Sequence, residues 1–232
     1  MCRLFGYVGK SHGDVELLYD NLKKCAANDV LANELGKRQI HKDGWGYVML
    51  SDSGLVHYRS QKAIFEDGHQ LPRTSGRTFA MFHARLASNK KLTASIFSHP
   101  YVASTKDRVI FLAHNGFVDL GKNSSRKVVD TEYLLNMIAK EGAESAIAKA
   151  KGRVHKKSAL NLLMLCIERN PVRASLKCLN YYRKDSPKSY FDLYYSRLKG
   201  GTAVFSSTFC RYGLKGSMVV PAFGKLMDLE KL

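Results

Sequence analysis

The sequence predicts a layered α+β fold, and three observations carry that prediction. Up to Gly116 apolar residues alternate or run in short blocks, as strands do. From Asp130 to Lys151 they recur at helical spacing, and beyond Ser158 short apolar, aromatic-rich blocks return. Strands, then a helical pair, then more strands pack as sheets with helices laid against them. The chain has 232 residues, 45% hydrophobic and 25% charged, which is enough for one sizeable core. A single domain over residues 1–232 is expected, because no internal repeat, low-complexity tract or clear linker interrupts it.

The chain opens Met1-Cys2-Arg3-Leu4-Phe5-Gly6-Tyr7-Val8-Gly9, where Leu4, Phe5, Tyr7 and Val8 predict a buried strand closed by Gly9. Ser11 or Asp14 can cap a helix carrying Val15, Leu17, Leu18 and Leu22 on one face. A polar, mixed segment (26–40) leads into His41-Lys42-Asp43-Gly44-Trp45-Gly46-Tyr47-Val48-Met49-Leu50, whose apolar end is a strand. Ser51-Asp52-Ser53-Gly54 turns into a second strand, Leu55-Val56-His57-Tyr58. Residues 77–85 alternate as another strand, 86–104 read as a loop around His99-Pro100, and 109–113 form a short buried strand ending at His114-Asn115-Gly116. Leu134, Leu135, Ile138 and Ile147 mark two helices broken at Gly142. Asp130 starts the first, where a carboxylate caps N–H groups and meets the positive end of the dipole. Segments 159–167, 174–182, 190–195 and 202–206 read as strands, although 159–167 fits a helix equally by pattern.

Several function classes are disfavoured. No apolar run approaches a membrane span, and the N-terminus lacks the basic and apolar regions of a signal peptide. Five cysteines, without CxxC spacing, fit a reducing cytoplasm better than a disulfide scaffold. The net charge is +17, and residues 149–216 alone hold 15 Lys+Arg against 3 Asp+Glu. Those charges are scattered among apolar residues, so a solvated outer surface is expected rather than a nucleic-acid site. No metal-ligand spacing links the histidines; His41 and His83 are expected to be structural, and neither metal nor organic cofactor is implied.

The chemistry points to the N-terminus. Removal of Met1 would leave Cys2 with a thiol and a free α-amine, whose pKa of about 7.7–8.0 suits a base near neutral pH. Nucleophile and base would then share one residue. If Met1 is retained, that amine is blocked. Three further motifs follow in order: Phe82-His83-Ala84-Arg85-Leu86-Ala87-Ser88, His114-Asn115-Gly116 and Asp130-Thr131-Glu132. On residue type alone, Arg85 can grip a carboxylate bidentately or make a surface ion pair. Asn115-Gly116 can supply donors to an oxyanion or form a simple turn. Asp130 can be no more than a cap.

With Cys2, these motifs resemble the class II glutamine amidotransferases, whose glutaminase domain is an N-terminal-nucleophile hydrolase. The Met-Cys-Arg-Leu-Phe-Gly start and His-Lys-Asp-Gly-Trp-Gly segment resemble that family's short, stand-alone branch. The motifs span about residues 2–135, and beyond them only the element order is similar. The resemblance implies a four-layer αββα sandwich with two antiparallel sheets. It implies that Cys2 attacks the γ-amide of glutamine, with Asn115 and Gly116 stabilising the oxyanion. Arg85 would bind the α-carboxylate, Asp130 the α-ammonium, and His99 would border the pocket. Gly44 and Gly46 would pack backbone closely near Cys2. A chain of this length leaves no room for a synthetase domain, so ammonia is expected to pass to a separate synthetase or be released. A γ-glutamyl peptide or conjugate is the alternative substrate, and an inactive basic nucleic-acid-binding protein on the same scaffold is a further one. Two departures stand out. Synthetase-linked relatives place an arginine before the Asp-x-x-Gly segment that orders the terminal cysteine, whereas this chain reads Ile40-His41-Lys42-Asp43. Asn89-Lys90-Lys91-Leu92 replaces a glycine-containing loop at the pocket's border, which bears on substrate preference.

Overall fold

A computed structural model of the chain describes residues 2–37, 39–90, 92–119, 121, 129–183, 188–214 and 217–232. Met1, whose removal would free the Cys2 amine, lies outside them. The strands in chain order are β1 (Arg3–Gly9), β2 (Trp45–Ser51), β3 (Gly54–Ser60), β4 (Thr78–Ala84), β5 (Tyr101–Ser104) and β6 (Arg108–Gly116). They continue with β7 (Leu160–Arg169), β8 (Val172–Leu179), β9 (Leu193–Arg197), β10 (Gly201–Ser206), β11 (Met218–Val219) and β12 (Leu226–Asp228). The helices are α1 (His12–Ala27), α2 (Val30–Glu34), α3 (Asp130–Glu141), α4 (Ala143–Lys151) and α5 (Lys188–Phe191). One antiparallel sheet runs β11-β9-β10-β1-β4-β2-β3 and the other β12-β8-β7-β6-β5.

Alternation along the strands sorts side chains into three apolar layers. Phe5 and Tyr7 of β1 join Trp45, Tyr47 and Phe82 beneath Val15, Leu18 and Leu22 of α1. Leu4 and Val8, on the opposite face of β1, meet Met81 and then Phe111, Leu163 and Leu165 of the second sheet. The outer face of that sheet packs Ile110, Leu112 and Leu162 against Leu134, Leu135, Ile138 and Ile147 of α3 and α4. Helix, sheet, sheet and helix pair thus stack as four layers. A Cβ on Gly6 would stand 3.2 Å from the side chains of both Leu163 and Leu176, so this glycine lets the second sheet approach β1 closely.

Several local expectations are corrected. Ser11 caps α1, accepting the Asp14 N–H at 3.1 Å, while Leu17 is 47% exposed and leaves the apolar face. The polar 26–40 segment contains α2, and the supposed loop 86–104 contains β5 and a 3₁₀ turn at Ser95–Phe97. Segment 190–195 begins as α5 and becomes strand at Leu193. Residues 160–169 resolve as strand, because β7 pairs on both edges, with β6 and β8. Strand β6 outlasts the expected 109–113 and takes in Asn115 and Gly116, which pair with Asn161 and Leu160; the Asn-Gly pair is therefore not a turn. Gly142 separates α3 from α4 with φ of 90°, a conformation that glycine adopts without strain.

Close packing at Gly46 yields a test. A Cβ there would strike the backbone carbonyls of Tyr58 and His99. Gly46→Ala is expected to destabilise the protein by about 1–3 kcal/mol in chemical denaturation, as overpacking does. At Gly13 in α1 only Ser11 Oγ lies nearby, at 3.8 Å. Gly13→Ala should therefore move stability the other way, by about 0.4–1 kcal/mol. A neutral Gly46→Ala would show that the carbonyls move aside.

Candidate active site

Cys2 heads a strand flanked on both sides, by β4 and β10, so the ladder that fixes Arg3 opposite Ala84 holds the residue before it. Cys2 is 9% exposed and its thiol lies against the Leu86 backbone, with Sγ 3.4 Å from Leu86 N and 3.7 Å from Leu86 O. By strand alternation Cys2 shares the face of Leu4, which looks into the gap between the sheets. Arg85 shares the face of Met81 and His83, and Asn115 shares that of Phe111 and Ala113, so the same rule turns both toward that gap. His83 spans it, with Nε2 3.2 Å from the His114 carbonyl oxygen.

Arg85 is 6% exposed. One terminal nitrogen, Nη1, donates to the carbonyls of Asp43 and Leu92. Its backbone is clamped too: Arg85 N donates to Gly44 O at 2.8 Å, and Asp43 N donates to Arg85 O at 3.1 Å. Asp43 goes on to accept the Ala87 N–H at 2.8 Å and to pair with Lys90. Asp43 thereby ties Ala87 and Lys90 to the segment that leads into β2. Among the described residues no carboxylate forms an ion pair with Arg85, which leaves a buried guanidinium suited to an incoming anion.

Asp130 is the first residue of α3, and Val129, not Asp130, holds the cap position. Its carboxylate still serves the helix start: Oδ1 accepts the Thr131 N–H at 2.9 Å and Oδ2 the Val118 N–H at 3.0 Å. The side chain is 14% exposed, so part of it remains accessible. Behind it, His99 Nε2 lies 2.8 Å and His114 Nδ1 3.3 Å from Thr131 Oγ1, while the His83 and His99 rings are 4.1 Å apart. His99 is 4% exposed and bonded to Thr131, so its contact with the site runs through α3. Burial pushes all three imidazoles below the usual histidine range, His83 to about 3, with neighbouring positive groups adding to it for His83 and His99. For His114 the Asp130 charge opposes that shift. They form a neutral, packed cluster, and no grouping of the described residues has the makings of a metal site. Asn115 is buried at the end of β6, and its Oδ1 has no partner among the described residues. At Gly116 a Cβ would collide with the Ala159 carbonyl, so glycine is required there by packing alone.

One assembly escaped the sequence reading. Arg3 is fully buried and pairs with Asp29 at 2.6 Å. It donates from Nη1 to the Cys2 carbonyl oxygen at 3.2 Å and lies 4.3 Å from the centre of the Tyr190 ring. Asp29 also accepts from Thr208 Oγ1 at 2.8 Å, Tyr190 Oη at 3.1 Å and Ala32 N at 3.3 Å, and meets His41 Nε2 at 3.0 Å. Burial opposes the Asp29 charge, but the His41 hydrogen bond and the Arg3 charge outweigh it and hold the carboxyl below its ordinary range. His41 is driven down to about 4, chiefly by burial, and is neutral at pH 7. The available signal was a lone arginine whose spacing puts it on the face of Phe5 and Tyr7 rather than in solvent.

The fold is shared with a solved enzyme. The allosteric regulatory enzyme of purine biosynthesis matches with a TM-score of 0.61 at 19% identity, over 94% of this chain and 44% of that one. This chain thus spans less than half the length of that enzyme. A predicted glutamine amidotransferase from Pseudomonas aeruginosa matches with a TM-score of 0.47 at 13% identity, over 99% of this chain and 92% of that one. No family model and no curated protein matches the chain. The first likeness and the stacking order establish a four-layer αββα sandwich. No helix is long and apolar enough to cross a membrane, and the five cysteines are free thiols.

The buried imidazoles fix a pH dependence. His41, His83, His99 and His114 titrate below the ordinary 6.5 in the fold, so below that pH the unfolded chain binds more protons. Stability should be level above pH 7 and fall as the pH drops from 6.5, with each histidine contributing up to about 1.4 kcal/mol per pH unit. The unfolding midpoint measured by calorimetry across pH 5–8 checks this; a flat profile would contradict it.

Proposed function

We propose that this chain hydrolyses the γ-amide of L-glutamine through Cys2, releasing glutamate and ammonia. The supporting observation is a convergence on the gap between the sheets. A thiol heads the central strand β1 and packs on the Leu86 backbone, and the residue before Leu86 is Arg85, a buried guanidinium without a carboxylate partner among the described residues. Arg85 would take the substrate α-carboxylate, and the accessible part of Asp130 would take the α-ammonium. His99 would act from behind, through Thr131, to steady Asp130.

With Met1 removed, the Cys2 amine takes the thiol proton as sulfur attacks the γ-carbonyl carbon. The oxyanion is met by Asn115 and the Gly116 N–H, each such donor being worth about 10²–10³ in rate. The carbon–nitrogen bond breaks as the amine returns its proton to the leaving nitrogen, giving ammonia and a γ-glutamyl thioester. Water activated by the same amine then attacks the thioester, and the thiol is restored with glutamate. Ammonia leaves to solvent or to a separate acceptor enzyme. A γ-glutamyl peptide would present the same half to Arg85 and Asp130, so the leaving group is read elsewhere, with the loop tied by Asp43 at the border.

Purified protein, shown by intact mass to lack Met1, is expected to release glutamate from L-glutamine, and Cys2→Ala to abolish it. Arg85→Gln should raise KM roughly 10- to 100-fold, the value of a charged hydrogen-bonded contact. A Met1-free, folded protein inert on glutamine but active on γ-glutamyl peptides would transfer the same mechanism to that substrate. Inactivity on both would remove the hydrolase reading.

A further inference from the structure

We infer that Arg3, clamped by Asp29, is the positioning residue of the terminal nucleophile; the inference rests on the reading of Cys2 as that nucleophile. A processed N-terminal residue has few handles. Its amine must stay free to act as a base and its thiol free to attack, and the ladder to β4 begins only at Arg3. The Cys2 carbonyl is the remaining polar group of that residue through which it can be held without blocking chemistry. Arg3 Nη1 donates to that carbonyl at 3.2 Å.

The rest of the assembly serves to hold Arg3 still. Its Nη2 meets Asp29 at 2.6 Å, and its guanidinium lies 4.3 Å from the centre of the Tyr190 ring. Tyr190 Oη lies 3.1 Å from Asp29 Oδ2 and 2.9 Å from Gln39 Oε1, and Thr208 donates to the other Asp29 oxygen. Four stretches distant in sequence, at 29, 39–41, 190 and 208, therefore converge on the first peptide group of the mature chain. Stability alone is a poor reason to bury such a charge, because desolvation of the pair offsets its attraction and an apolar replacement is often neutral. A guanidinium, however, can bond a carbonyl and a carboxylate in one fixed plane, which an ammonium cannot. Residues 40–43 contribute His41 to the same carboxylate.

The test compares Arg3→Lys, Arg3→Gln and Tyr190→Phe with the parent protein by kcat, KM, thermal midpoint and the rate of Cys2 alkylation by iodoacetamide, read by peptide mass. A misplacement of about 1 Å can cost on the order of 10²-fold, so kcat should fall at least about tenfold in the Arg3 variants, with KM nearly unchanged. Alkylation should move oppositely and rise about threefold or more, as the freed thiol leaves the Leu86 backbone. A general structural role would lower the thermal midpoint without this split. Folded Arg3→Lys with parental kcat and alkylation rate overturns the inference. Should both Arg3 variants fail to fold, Tyr190→Phe decides on the same readouts, because it keeps the ring and removes only the hydroxyl that braces Asp29. A parent protein inert on glutamine and γ-glutamyl peptides would instead sink the hydrolase reading. Equal alkylation rates in parent and variants would then overturn the positioning claim separately.

Discussion

The register of β1 is the constraint on which the rest depends. Chain termini ordinarily fray, yet here the second residue must sit at the mouth of two packed sheets. A slip of one residue would turn Cys2 and Leu4 toward α1 and drive Phe5 and Tyr7 into the gap between the sheets. Several contacts forbid it. Phe5 stacks on Phe82 with ring centres 4.6 Å apart, which fixes β1 against β4. Gly6 is placed where Leu163 and Leu176 come close, so any larger neighbour moved there would press against the second sheet. At the far end Gly9 sits opposite Gly201, against the Tyr7 hydroxyl and the Gly200 carbonyl, where a Cβ has no room.

Two polar assemblies flank this strand, and they solve burial in opposite ways. On the helix side Arg3 and Asp29 stay charged, because each hydrogen bond to the carboxylate favours its ionised form. Behind the second sheet His99 and His114 converge on Thr131 and stay neutral, because the cost of burying an imidazolium outweighs even the Asp130 charge beside His114. The charged assembly reaches the Cys2 carbonyl, and the neutral one reaches Asp130. Each ends on a residue of the proposed chemistry while keeping its own titration out of it at neutral pH.

The parts of the fold that the sequence made legible are those where one face of a long element meets a core. The apolar rhythm of Leu4 to Val8, of Val48 to Leu50 and of Leu134 to Ile147 needs no tertiary help to be read. Short pieces such as β5, α2 and β12 carry too few residues for a period to show, and β5 and β12 form because a neighbouring strand supplies their hydrogen bonds. Leu17 was misread because helical spacing gives a stripe without saying how wide the covering sheet is. Asn115-Gly116 has the dipeptide signature of a turn, but β7 continues opposite it and keeps it in the ladder. Of the candidate site, Cys2, Arg85, Asn115 and Asp130 were visible through motif order. Arg3 was not, since its meaning lies in partners at 29 and 190 that only folding brings near.

The proposed chemistry divides its parts between the two sheets. Thiol and guanidinium stand just before β1 and just after β4, while amide and carboxylate stand on β6 and at the start of α3. Their separation is therefore set by the packing of Leu4, Val8 and Met81 against Phe111, Leu163 and Leu165, whose volumes hold the sheets apart. Close-packed interiors yield little to strain, so a site built across such a layer is rigid without any bond between its halves. The direct polar link from His83 to the His114 carbonyl fixes the two sheets laterally at the site's own end. An amino acid bound by Arg85 on one sheet and Asp130 beyond the other would be measured by that spacing, and the carbonyl carbon of its side-chain amide delivered to Cys2 at a place the core has already determined.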